Sequence, residues 1–158
     1  MLTSIENGMA TLIAGMEQGA YNFDWTAQGI NQPDMAKATF PSAEIMLETE
    51  ESLDEPDSPF ADAYMQEAMY IIRVRTRLDE ETDVPTWEIN AEMNSALDDL
   101  KKLFGTNYSA GGVCDTIMYV GMEREDEPGG DIFMPKSMLT RWRVRYAQDR
   151  RDPEMIAQ

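Results

Sequence analysis

The chain of 158 residues contains no histidine. That removes the side chain most often used as a general base near neutral pH, and with it the commonest metal ligand. Ser-His-Asp and Cys-His nucleophile arrangements are excluded outright, and with only four lysines the lysine-based variants have little to draw on. The single cysteine, Cys114, excludes an intramolecular disulfide and reads as a small core residue. No apolar run approaches the roughly 20 residues that span a bilayer. The N-terminal stretch "MLTSIENGMATLIAGMEQ" lacks the basic start and apolar block of a signal peptide, so the expected location is the cytoplasm of the cell that makes the chain. Basic residues are also scarce: 13 against 30 acidic ones, a net charge of −17 and a pI near 4.2. That balance argues against binding driven by nucleic-acid phosphates and against attraction to anionic membranes.

The apolar content of 42% is enough for one domain with a real core, and residues 1–158 are read as a single domain. Leu2, Ile5, Met9, Leu12, Ile13 and Met16 recur at helical spacing and predict a first amphipathic helix ending near Gly19. The period then changes to two in "AYNFDWT", residues 20–26, which predicts a first strand, and again in "AEIMLETE", residues 43–50, a second. Acids and two prolines crowd residues 50–62, which predicts an acidic loop. "AMYIIRVRTRL", residues 68–78, returns to strand composition. "PTWEINAEMNSALDDLKKLFG" then carries Ile89, Met93, Ala96, Leu97, Leu100, Leu103 and Phe104 as a helical stripe. Pro85 and Thr86 stand at its start, Lys101 and Lys102 in its last turn and Gly105 beyond. Strands at 113–125 and about 138–147 follow, separated by a long loop at about 126–137 and ended by a polar tail, 148–158. The expectation is an α+β fold of two main helices packed on a mainly antiparallel β-sheet, in the order helix, strands, helix, strands.

Most candidate sites dissolve on inspection. The acidic loop lacks the D-x-D-x-D-G spacing of a calcium loop and has prolines where such a loop wants glycine. "GTNYSAGG" lacks the lysine and spacing of a phosphate-binding loop and follows a helix instead of opening one. Thirteen methionines fall mostly on helix or strand faces, where a flexible apolar filler suffices. Pairs of acids are too numerous for any one to signal a hydrolase, although a carboxylate-dependent hydrolase is kept as a distant alternative. No catalytic, cofactor-binding or metal-ligating residue is predicted. The arginines differ: six of the nine, Arg73, Arg75, Arg77, Arg141, Arg143 and Arg145, share one parity of two strands. Like charges side by side on a sheet cost energy. They therefore call for counter-charges, either local acids such as Glu44, Glu48 and Glu50 or acids of a neighbouring subunit. A β-ribbon reading DNA is the remaining option. These six are the candidate subunit-interface residues.

Taken in order, "SIENGMATLIAGM", an aromatic strand, "AEIMLETEE" after "TFPS", "YIIRVRTRL", "WEINAEMNSALDDLKKLFG", "TIMYVGMERED" and "RWRVRYAQDRRDP" resemble the tail terminator (tail completion) proteins of long-tailed bacteriophages, over roughly residues 1–153. The resemblance implies a non-enzymatic virion protein of the tail or neck, assembled in the host cytoplasm. It implies a homo-oligomeric ring, usually of six subunits, that stops the tail tube and meets the head-to-tail connector while DNA passes through its lumen. Its partners would be further copies of itself, the tail-tube protein and the connector protein, with no cofactor and no membrane. Another neck adaptor or a tail-tube protein of the same virion is the alternative.

Overall fold

The computed structural model describes residues 1–28, 40–53, 63–76, 86–126 and 135–149. The elements in chain order are α1 (Leu2–Ala14), β1 (Thr26–Gln28), β2 (Ser42–Ser52), β3 (Ala63–Arg75), α2 (Thr86–Thr106), β4 (Thr116–Asp126) and β5 (Pro135–Asp149). The strands form one sheet in the order β1-β2-β3-β5-β4. Its centre is the β3–β5 pair, in register from Ala63↔Asp149 to Val74↔Met138.

The expected mainly antiparallel sheet is corrected to a mixed one, because β1 runs parallel to β2, with Thr26 opposite Ser42. A parallel pair needs a connection long enough to return the chain to the same end, and the stretch 29–41 supplies that length. The first strand was also expected at residues 20–26, yet only Thr26 of that stretch is in β1. Residues 20–25 form a turn-rich segment outside the named strands, with an isolated bridge between Gln18 and Tyr21. Gly19, at φ +112°, makes the turn that an L-residue would resist, and its N–H reaches the Tyr21 carbonyl at 3.1 Å. Asp99 of α2 then holds the segment: Asn22 N (2.8 Å), Phe23 N (3.3 Å) and Trp25 Nε1 (2.9 Å) all donate to its carboxylate.

Other boundaries move by a few residues. α1 stops at Ala14, short of Gly19, with Gly15 as its C-cap, although Met16 stays buried. β2 runs on to Ser52 and β3 begins at Ala63, so the acidic stretch expected as loop is strand at both margins, and residues 54–62 lie outside the described residues. β4 begins at Thr116 because positive φ at Ala110, Gly111 and Gly112 turns the chain there. β5 spans Pro135–Asp149, taking in residues expected as loop and tail; residues 127–134 and 150–158 lie outside the described residues. α2 continues past Gly105 to Thr106, so Lys101 and Lys102 fall before its last turn. There Lys101 Nζ sits 4.4 Å from the centre of the Tyr119 ring, and Lys102 Nζ donates to the Ala20 carbonyl at 2.5 Å.

Both helices lie on the face of the sheet formed by Ala68, Tyr70, Ile72 and Val74 of β3 with Met138, Thr140, Trp142, Val144 and Tyr146 of β5, all buried. Period two puts these side chains on one face, and the helical stripe of α2 covers them. The Phe104 ring meets Trp142 edge-on at 4.9 Å, and Tyr119 meets the same indole at 5.3 Å. Burial of large side chains at about 1.5–3 kcal/mol each makes this layer the main source of stability. Polar groups within it are satisfied locally: Trp142 Nε1 donates to Thr140 Oγ1 at 2.7 Å, and Thr140 Oγ1 donates to the Ile72 carbonyl at 3.0 Å. Gly8 lets α1 approach the 108–115 turn, since a Cβ there would lie 3.1 Å from Val113 Cγ2 and 3.2 Å from the Ala110 carbonyl oxygen.

Candidate functional site

The opposite face of the sheet carries no helix among the described residues. Strand parity places Arg73 and Arg75 of β3 and Arg141, Arg143 and Arg145 of β5 there, across the sheet from the buried aromatics. Arg77 lies outside the described residues. The five arginines are brought together as the sequence pattern implies, and their counter-charges come from the same chain.

Arg73 is held from both flanks. Its Nε donates to Glu125 Oε1 of β4 at 2.8 Å and its Nη1 to Glu44 Oε2 of β2 at 3.2 Å. Ser137 Oγ donates to the same Glu125 oxygen at 3.1 Å. Burial pushes the Glu125 carboxyl up, but the Arg73 and Ser137 hydrogen bonds and the charges of Arg73 and Arg75 outweigh it, leaving Glu125 below its ordinary value. Arg141 Nη1 donates to Glu123 Oε2 of β4 at 3.1 Å, and its Nε lies 3.5 Å from Glu48 Oε2 of β2. Glu67 of β3 serves two arginines, with Arg145 Nε donating to Oε2 at 2.8 Å and Arg143 Nε at 3.3 Å from Oε1. The Arg143 contact is ionic only, since its Nε makes no hydrogen bond. Arg75, half-buried at the end of β3, contributes its charge toward Glu125.

Of the three acids on β2 expected to face these arginines, Glu44 and Glu48 do and Glu50 does not. The register of β2 on β3 slips between Leu47 and Thr49, so Glu48 is the extra residue of a bulge and the parity beyond it reverses. Glu50 therefore turns to the helix side, where the Tyr146 hydroxyl donates to its Oε1. Glu67, Glu123 and Glu125 are partners that the sequence pattern does not single out. Glu67 shares the odd parity of Arg73, but it precedes the strand start expected at 68. Glu123 and Glu125 were obscured by a second bulge, at Val120, where the register of β4 on β5 slips between Tyr119 and Gly121.

Between the ion pairs the face is apolar. Met46 stands opposite Ile71, Thr49 opposite Met69, and Met69 and Met118 flank Arg143. Met46, Met69 and Ile71 are half-buried there, on a face where long charged side chains can lay their stems over apolar neighbours. Met118 remains 51% exposed, next to the exposed Tyr119 and Val120 on the edge strand. Among the described residues no group of three or more metal-binding side chains converges. What the arrangement offers chemically is a flat, charge-paired, partly apolar surface. Among the described residues no helix is long and apolar enough to cross a membrane. No protein-family model and no curated protein matches the chain.

Proposed function

We propose that the chain is a structural virion protein of a long-tailed bacteriophage, a ring-forming tail terminator that caps the tail tube and joins it to the head-to-tail connector. The reading rests on the order of elements and the sequence phrases that resemble that family. One structural observation carries it further: the open sheet face, where each of Arg73, Arg141, Arg143 and Arg145 faces a carboxylate of its own chain.

A subunit of net charge −17 repels its own copies. Association is least opposed where arginines balance acids, and Met46, Met69, Ile71 and Met118 give that region apolar area to remove from water. Cyclic rings use heterologous contacts, so this face on one subunit meets a different surface of the next. In this reading the five described arginines, Arg73, Arg75, Arg141, Arg143 and Arg145, act at the interface as part of a charge-paired polar lattice. They are not bare cations waiting for a partner's acids. The surplus of acids elsewhere would keep a DNA-conducting lumen from gripping its cargo. The partners are further copies of the chain, the tail-tube protein and the connector protein, at the tail or neck of the virion.

The test is the oligomeric state of the wild type and of Met118→Asp, measured by light scattering alongside urea unfolding. Met118 is exposed, so the substitution leaves the fold intact while placing a charge in the apolar stripe. A ring that dissociates in the variant at unchanged stability supports the reading. A variant of unchanged size, or a wild type that stays monomeric, overturns it.

A further inference from the structure

α1 buries one ionisable residue along with its apolar face. Glu6 sits beside Ile5 and Met9 and is 5% exposed, and its Oε2 has no hydrogen-bond partner. The group that meets it from the sheet is Tyr70 of β3, fully buried, whose hydroxyl hydrogen-bonds to the Glu6 carboxyl and also lies 3.5 Å from the Leu2 carbonyl oxygen. Behind Tyr70 stand Tyr146 of β5 and, at the solvent-facing rim, Glu50 of β2, to which Tyr146 donates.

The remaining surroundings of α1 offer Glu6 no described cation. β1 contributes Thr26, Ala27 and Gln28, none titratable. On α2, Asp99 is engaged with residues 22–25, Lys101 with Tyr119 and Lys102 with Ala20. The 108–115 turn, packed at Gly8, carries the buried thiol of Cys114 and the exposed Asp115. At the start of the helix stands the Met1 ammonium, which has a partner of its own.

We propose that Glu6 is a proton-operated latch on α1: with a proton on its carboxyl the helix docks over Tyr70, and with the proton released to water the N-terminal half of the helix opens from the sheet. A neutral carboxyl can occupy the site with one oxygen unpartnered at modest cost. A carboxylate there has a single neutral donor and almost no water. Burial raises the Glu6 carboxyl above its usual value, with the Tyr70 hydrogen bond opposing in part. The sign follows: a group whose folded pKa is raised contributes stability that is present at low pH and is lost as pH rises through the folded value. α1 is thus the element whose docking weakens toward alkaline pH, while the sheet, held by groups of the opposite tendency such as Glu125, does not.

The experiment is hydrogen exchange of backbone amides in the full chain, corrected for intrinsic rates, followed from the ordinary carboxyl value of 4.5 up to mildly alkaline pH. In the wild type, protection of the α1 amides falls several-fold relative to β3 and β5 as pH rises. In Glu6→Gln, which keeps shape and cannot ionise, α1 protection stays level. In Tyr70→Phe, which removes the donor described at the carboxylate, the alkaline loss is larger than in the wild type. A wild-type profile that changes by less than about twofold, or one that Glu6→Gln reproduces, overturns the latch.

Discussion

Removing the Asp99 carboxylate should release the segment that connects α1 to β1. Asp99 is 2% exposed and accepts from three donors of residues 22–25, all more than seventy positions away in sequence. Hydrogen bonds to a charged acceptor are worth about 1.5–3 kcal/mol each, and they are not additive when they share one acceptor. Asp99→Ala also strands the Asn22 and Phe23 amides and the Trp25 indole N–H in a part-buried site, so the expected loss is about 3–5 kcal/mol. That is a large fraction of the roughly 5–15 kcal/mol that holds a domain together. Asp99→Asn keeps the shape and one acceptor oxygen but turns an NH₂ toward at least one donor, for an expected loss of about 2 kcal/mol. Urea unfolding gives the totals, and exchange of the Asn22 and Phe23 amides localises the damage. In the double variant with Trp25→Phe the two losses should fall short of their sum, because one orphaned donor is gone. A loss below about 1 kcal/mol in Asp99→Ala, with those two amides still protected, would refute the staple.

Glu67→Gln should cost about 1 kcal/mol at low salt, since it leaves Arg143 and Arg145 without their shared charge, and the loss should shrink as salt is added; a salt-independent loss would point to packing instead. Arg73→Met should flatten the acid limb of the stability curve. Glu125 has a depressed carboxyl, so its contribution is present above the ordinary value of 4.5 and lost as pH falls through the folded value; identical acid limbs in variant and wild type would contradict the pairing. Burial, with a contribution from Asp115, pushes the Cys114 thiol up to about 12, so a thiol reagent near neutral pH should label it only on unfolding. Rapid labelling of the native protein would show that the site opens.

The parity of β3 and β5 was readable because each strand alternates cleanly between aromatic or aliphatic residues and arginines, and the seven-residue stripe of α2 was readable for the same reason at period 3.6. Partners of the arginines were legible only up to the bulge at Glu48, since one inserted residue reverses every later assignment on β2. Glu50 was misplaced for that reason alone. The parallel pairing of β1 left no mark in local pattern, being a matter of where a connection returns. Asp99 and Glu6 did leave one: Asp99 falls three after Ala96 and four before Leu103, and Glu6 falls four after Leu2 and three before Met9. An acid in an acidic chain reads as surface, yet helical spacing puts both on the buried side.

The ring itself is the most direct test. The purified chain, imaged by negative stain alone and then with tail tubes, should form short closed rings of uniform size that sit on tube ends and stop their growth. Monomers at every concentration, or spontaneous open tubes, would contradict a tail terminator.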